Sequence, residues 1–103
     1  MVGGKMLLYH NTFPENAQAI LATGFRDSVG YYLTPTRHRG VWFIDRPEFA
    51  PDSDPRRSIW VVVELPEEVV RRYEWVEDDR SYREFLIPAR IINHYPRPVE
   101  VSW

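Results

Sequence analysis

Three short segments place a polar or aromatic group at the end of a strand-like run, and they set the chemistry open to this chain. In Leu8-Tyr9-His10-Asn11-Thr12, His10 stands where an extended run gives way to a helix. An imidazole there can orient a ligand hydroxyl by hydrogen bonding, and the positive end of the next helix suits an anion. A structural histidine satisfied by the backbone is the alternative. In Gly40-Val41-Trp42-Phe43-Ile44-Asp45, Trp42 offers a flat ring face that can stack on a planar cation, or it fills the core. In Tyr82-Arg83-Glu84-Phe85-Leu86-Ile87-Pro88, alternation sets Tyr82, Glu84 and Leu86 on one face and Arg83, Phe85 and Ile87 on the other. A carboxylate that shares a face with large apolar groups is costly unless it is used. A charge on a strand can also simply ward off sheet-to-sheet pairing. Arg37 and Arg39 precede Trp42, and Arg26 follows the first helix; each has the fork that fits phosphate oxygens, and each is equally a solvated surface residue.

Positioning these groups requires several short elements. Residues 5–10 read as a first strand, and Thr12 with Glu15 three residues later forms a capping box for a helix whose buried stripe is Ala17, Ile20 and Leu21. Gly24 stands where a left-handed cap would close that helix. Residues 25–39 are aromatic and turn-rich, and residues 40–44 form a short buried strand. Pro47, Pro51 and Pro55 make residues 46–57 an exposed connection, with room for one helical turn at 48–50. Residues 58–65, β-branched and apolar, are the best candidate for a central strand. Pro66 then opens a helix with Glu67 and Glu68 at its positive end and Arg71 and Arg72 at its negative end. Two more strands are expected at 82–87 and 98–101, with a turn or helical stretch from Pro88 between them. The sum is an α+β domain of short, mostly antiparallel strands with one or two helices.

Composition narrows the classes. The 103 residues, 44% hydrophobic and 27% charged, describe one globular domain spanning residues 1–103. A domain of this size buries roughly two-thirds of its unfolded surface, enough for one core and one cleft. A net charge of −2 gives no bulk attraction for nucleic acid, so any phosphate site must be local. Without cysteine, thiol nucleophiles, thiolate metal sites and disulfides are excluded. No metal ion is expected. The first ten residues lack the apolar stretch of a signal peptide, and no run approaches the ~20 residues of a membrane span. A cytoplasmic protein without membrane contact is therefore expected.

Taken together and in this order, the three segments resemble the His–Tyr–Glu class of ADP-ribosyltransferases, which includes the poly(ADP-ribose) polymerases and the tRNA 2′-phosphotransferases. Leu8-Tyr9-His10-Asn11-Thr12 is similar to the family's Leu-Tyr/Phe-His-Gly-Thr/Ser, with Asn11 in place of glycine. Gly40-Val41-Trp42-Phe43-Ile44-Asp45 resembles Gly-Ile-Tyr-Phe-Ala-Asp, with tryptophan at the tyrosine position, and Tyr82-Arg83-Glu84-Phe85 resembles Tyr-x-Glu-Tyr/Phe before a proline-led turn. The resemblance implies a small ADP-ribosyltransferase-like fold with a split sheet and NAD as substrate. His10 and Glu84 would be catalytic. His10 would also bond a ribose hydroxyl, the Asn11 backbone would hold the nicotinamide amide, and Trp42 would stack on the ring. Thr12, Phe43 and Tyr82 would join the cofactor contacts, with Arg37 and Arg39 on the diphosphate.

One carboxylate suffices for such a reaction, because nicotinamide leaves a cationic ring as a neutral molecule and needs no general acid, unlike ordinary glycoside hydrolysis. The acceptor of ADP-ribose (protein, nucleic acid, small molecule or water) and the oligomeric state stay open. A non-catalytic module that holds NAD, ADP-ribose or a protein partner on the same fold is the main alternative. A 2′-phosphotransferase-like enzyme acting on RNA ranks behind it, since the chain does not advertise a basic surface.

Overall fold

The computed structural model describes residues 4–30, 38–47, 59–75, 82–96 and 98–101. The expected helical turn at 48–50, most of the 46–57 connection, and Arg37 lie outside the described residues.

Among the described residues, seven strands and three helices make an α+β domain. Strand β1 (Lys5–Thr12) leads into helix α1 (Pro14–Thr23). Strands β2 (Ser28–Gly30), β3 (His38–Ile44) and β4 (Ile59–Pro66) follow. A four-residue helix, α2 (Glu67–Val70), runs into a 3-10 turn at Arg71–Tyr73 and strand β5 (Glu74–Trp75). The chain then forms β6 (Glu84–Ile87), α3 (Ala89–Ile92) and β7 (Val99–Val101). Among the described residues the strand pairs are antiparallel, in the order β5-β6-β3-β1-β4-β7, with β2 paired to β3.

The sheet is continuous but has a seam. Strand β1 pairs with β4 along its whole length, from Lys5↔Pro66 to Thr12↔Ile59, whereas β1 and β3 share one register pair, Tyr9↔Ile44. Two well-bonded halves, β1-β4-β7 and β5-β6-β3, therefore meet at a single point. The expected split into two sheets is not what the described residues form: the strands stay in one hydrogen-bonded order.

Strand alternation puts Leu8, Val41, Phe43, Val61, Val63, Leu65, Phe85 and Ile87 on one face, all buried. That face is covered by Ala17 and Ile20 of α1, by Val70, by Phe25, and by Ala89 and Ile92 of α3. Leu21, expected in the α1 stripe, is half-buried.

Several local expectations are corrected. The capping box does not form: Pro14 occupies the first helical turn, so Phe13 is the N-cap and no side chain bonds there. Thr12 stays in β1, buried and paired with Ile59. Gly24 closes α1 with a positive φ of 95°, but its ψ of 177° is not that of the left-handed helix; its N–H reaches the Ile20 carbonyl at 2.8 Å. Strand β4 is interior without being central, since only β7 lies beyond it. Pro66 is its last residue and the N-cap of α2, and Arg71 and Arg72 fall in the 3-10 turn.

Candidate active site

Register places the three chemical segments on adjacent strands, β1, β3 and β6. On the sheet face opposite α1, one row of neighbours runs Trp75, Glu84, Ile44, Tyr9 and Val62. Glu84 is therefore held between Ile44 and Trp75, half-buried, with its Oε2 atom shielded from solvent. Trp42 pairs with Leu86, one diagonal step from Glu84, a separation of about 7–8 Å between such positions. The Trp42 ring meets Trp75 edge to face, with centroids 5.5 Å apart. Asn11, opposite Trp60 on β1, shares this face, while Tyr82 lies half-buried just before β6.

His10 belongs to the other side of the strand and fills the seam. Its Nδ1 lies 2.8 Å from the Trp42 carbonyl, a side-chain bond between β1 and β3. A carbonyl only accepts, so Nδ1 is the donor of this bond and carries a proton. The imidazole packs on Phe25 and Phe43 at centroid distances of 5.8 and 5.7 Å, and those two rings touch each other at 5.5 Å.

A cleft of about 380 Å³ opens beside His10 on the α1 side. Its lining includes the buried side chains Ile20, Phe25 and Val41, together with Thr12, Asn16 and Arg26 among others. That volume falls in the range of small-molecule pockets, and an apolar lining with a few polar groups is their usual make-up. The site thus has two parts: a half-buried carboxylate among aromatic rings on one face, and a cleft on the other, with His10 between them.

Several predicted contacts are placed elsewhere. Phe43 is 1% exposed, a core residue under His10 and not a surface that a ligand reaches. Thr12 is also buried and meets the cleft at its edge. Arg39 pairs with Asp27, Nε to Oδ2 at 3.3 Å, so its charge is already matched, while Arg26 is the arginine that lines the cleft. Among the described residues no cluster of His, Asp or Glu gathers to hold a metal ion, and no helix is long and apolar enough to cross a membrane.

Residues that the sequence did not single out hold Glu84 in place. Asp45 Oδ1 accepts the Arg83 N–H at 2.7 Å, and the Asp45 N–H donates to the Arg83 carbonyl at 3.1 Å, clasping the end of β3 to the residue before Glu84. The Arg83 guanidinium forks onto Glu74 of β5, Nε to Oε2 at 3.1 Å and Nη2 to Oε1 at 2.7 Å. That fork holds the Glu74 carboxyl below its usual range against the opposing pull of burial, and it holds the Arg83 pKa above its ordinary value. Arg83 is thereby directed away from Glu84, toward Glu74 and, at 3.9 Å, Glu67. Gly40, with φ of 152°, lets β3 approach β6 beside Trp42, since a Cβ there would meet the Ile87 carbonyl oxygen at 3.1 Å.

Compared with protein-family models, curated proteins and solved structures, the chain matches none of them.

Proposed function

We propose that this chain is an ADP-ribosyltransferase-like domain that binds NAD across the seam of its sheet and breaks the nicotinamide–ribose bond, with Glu84 as the catalytic carboxylate. One observation carries the reading. Three segments far apart in the chain, each resembling a motif of that class in family order, lie on three adjacent strands around one seam. Nothing in the chain's general composition requires that convergence.

In this account the nicotinamide ribose lies on the face of Asn11, Trp42 and Glu84, and the nucleoside half occupies the cleft beside His10. Nε2 of His10 accepts a hydrogen bond from a ribose hydroxyl, because Nδ1 is committed to the Trp42 carbonyl. The C1′–N bond breaks with its electron pair moving to the pyridinium nitrogen, which leaves as neutral nicotinamide. Glu84 stabilises the oxocarbenium-like ribose by its charge and by a bond to the 2′-hydroxyl. The acceptor oxygen or nitrogen then attacks C1′ and gives its proton to Glu84. Protein, nucleic acid, small molecule or water all satisfy that step.

A binding module without turnover is the second reading, and the edge-to-face contact of Trp42 with Trp75 favours it, because that contact competes with stacking on nicotinamide. Incubation with NAD separates the two. Nicotinamide release supports the enzyme; a raised melting temperature with NAD or ADP-ribose but no release supports the module; neither response refutes both.

A further inference from the structure

We propose that Asn93 is a positioning residue for the nucleoside half of the substrate, acting through the cleft rim at residues 24–27; this rests on the NAD reading above. These residues lie between α1 and β2, outside any strand or helix. Gly24, Phe25 and Arg26 of this stretch line the cleft. Main-chain groups in such a stretch need partners from elsewhere. Phe25 finds both in one side chain: its N–H donates to Asn93 Oδ1 at 2.8 Å, and Asn93 Nδ2 donates to its carbonyl at 2.9 Å. The amide thus mimics one rung of a strand pair across 68 positions of sequence.

Two neighbours show that the rim is built around this contact. Gly24 lies so close to Asn93 that a Cβ would stand 2.9 Å from Oδ1, and its φ of 95° is one that side chains disfavour, so glycine is what admits the amide. At the other end of the rim, Asp27 Oδ1 accepts the Ala89 N–H at 2.7 Å. Both fastenings go to α3 or its C-cap, which follow β6 after Pro88. The cleft rim is therefore tied to the chain segment that continues the Glu84 strand. The Phe25 ring, 4% exposed, transmits the same constraint to His10. Both of these Asn93 hydrogen bonds go to Phe25, which lines the cleft, so its influence falls first on the cleft.

The test compares three probes by calorimetric titration: ADP-ribose and AMP, which carry the adenosine half, and nicotinamide mononucleotide, which lacks it. Asn93→Ala is expected to weaken ADP-ribose and AMP by about tenfold, as loss of two fixed hydrogen bonds on a rim would, and to leave nicotinamide mononucleotide within about twofold. Asn93→Asp keeps the acceptor for the Phe25 N–H but loses the donor, and should show the same selectivity even if the alanine variant folds poorly. Faster hydrogen exchange at the Phe25 amide would accompany the loss. Unchanged affinity for ADP-ribose and AMP in both variants, or equal weakening of all three probes, overturns the role of Asn93 while leaving the NAD reading standing. Wild-type protein that binds none of the probes overturns both.

Discussion

Replacing His10 tests whether the seam is held by a side chain and whether the same ring serves a ligand. In His10→Ala the Nδ1 bond to the Trp42 carbonyl at 2.8 Å is lost, a contribution of about 0.5–1.5 kcal/mol. Ring contacts with Phe25 and Phe43, at 5.8 and 5.7 Å, add about as much again. The sum is roughly 2 kcal/mol, which in a domain of this length corresponds to a fall in melting temperature of roughly 10 °C. Two isosteric variants divide the effect. His10→Asn places an amide N–H where Nδ1 was and should regain about 1 kcal/mol of stability without restoring ADP-ribose binding. His10→Gln reaches the Nε2 position and should regain part of the binding but little stability. Urea unfolding and calorimetric titration of the three variants give both quantities. A His10→Ala protein within about 0.5 kcal/mol of wild type, below what a lost buried contact costs, would refute the seam argument. Glutamine stabilising more than asparagine would refute the assignment of Nδ1 as the donor.

The clasp on Arg83 yields two further expectations. Asp45→Ala removes the acceptor for the Arg83 N–H and should cost about 1–2 kcal/mol by urea unfolding and lower kcat about tenfold with KM little changed, whereas Asp45→Asn, which keeps Oδ1, should recover most of both. Because Arg83 holds the folded Glu74 carboxyl below its ordinary value of 4.5, their pairing contributes fully above that value and is lost as pH falls through the lowered one. The stability gap between wild type and Glu74→Gln should therefore be about 1 kcal/mol or less at neutral pH, given that the Arg83 side chain is 38% exposed, and should shrink as pH falls below 4.5. A gap that widens on acidification contradicts the pairing.

Legibility in the sequence followed the strength of each local pattern. Alternation at Glu84, Phe85, Leu86 and Ile87 and the β-branched run in β4 each produced a strand near its expected place, and the faces assigned to Phe85 and Glu84 hold. Strands β2 and β5 span three and two residues, too few to carry a period. The capping box failed because two local signals competed, and Pro14, fixed in φ, began the helix beyond Thr12. The site was legible as a set of strand ends but not as a two-sided object. His10 and Glu84 project to opposite faces, and their strands are related through the register pairs Tyr9↔Ile44 and Ile44↔Glu84. Asp45, Trp75 and Asn93 act through partners 9 to 68 positions away, which no local spacing encodes. For Asn93, a polar residue closing a short helix gave no sign of its partner at Phe25.

The most direct test of the account is the rate of nicotinamide release from NAD by Glu84→Gln, measured beside its affinity for ADP-ribose. Removal of a charge that acts on the developing oxocarbenium should cut kcat by about a hundredfold or more, while the amide, of the same shape between Ile44 and Trp75, leaves ADP-ribose affinity near the wild-type value. Release that continues at the wild-type rate in this variant would contradict the assignment of Glu84 as the catalytic carboxylate.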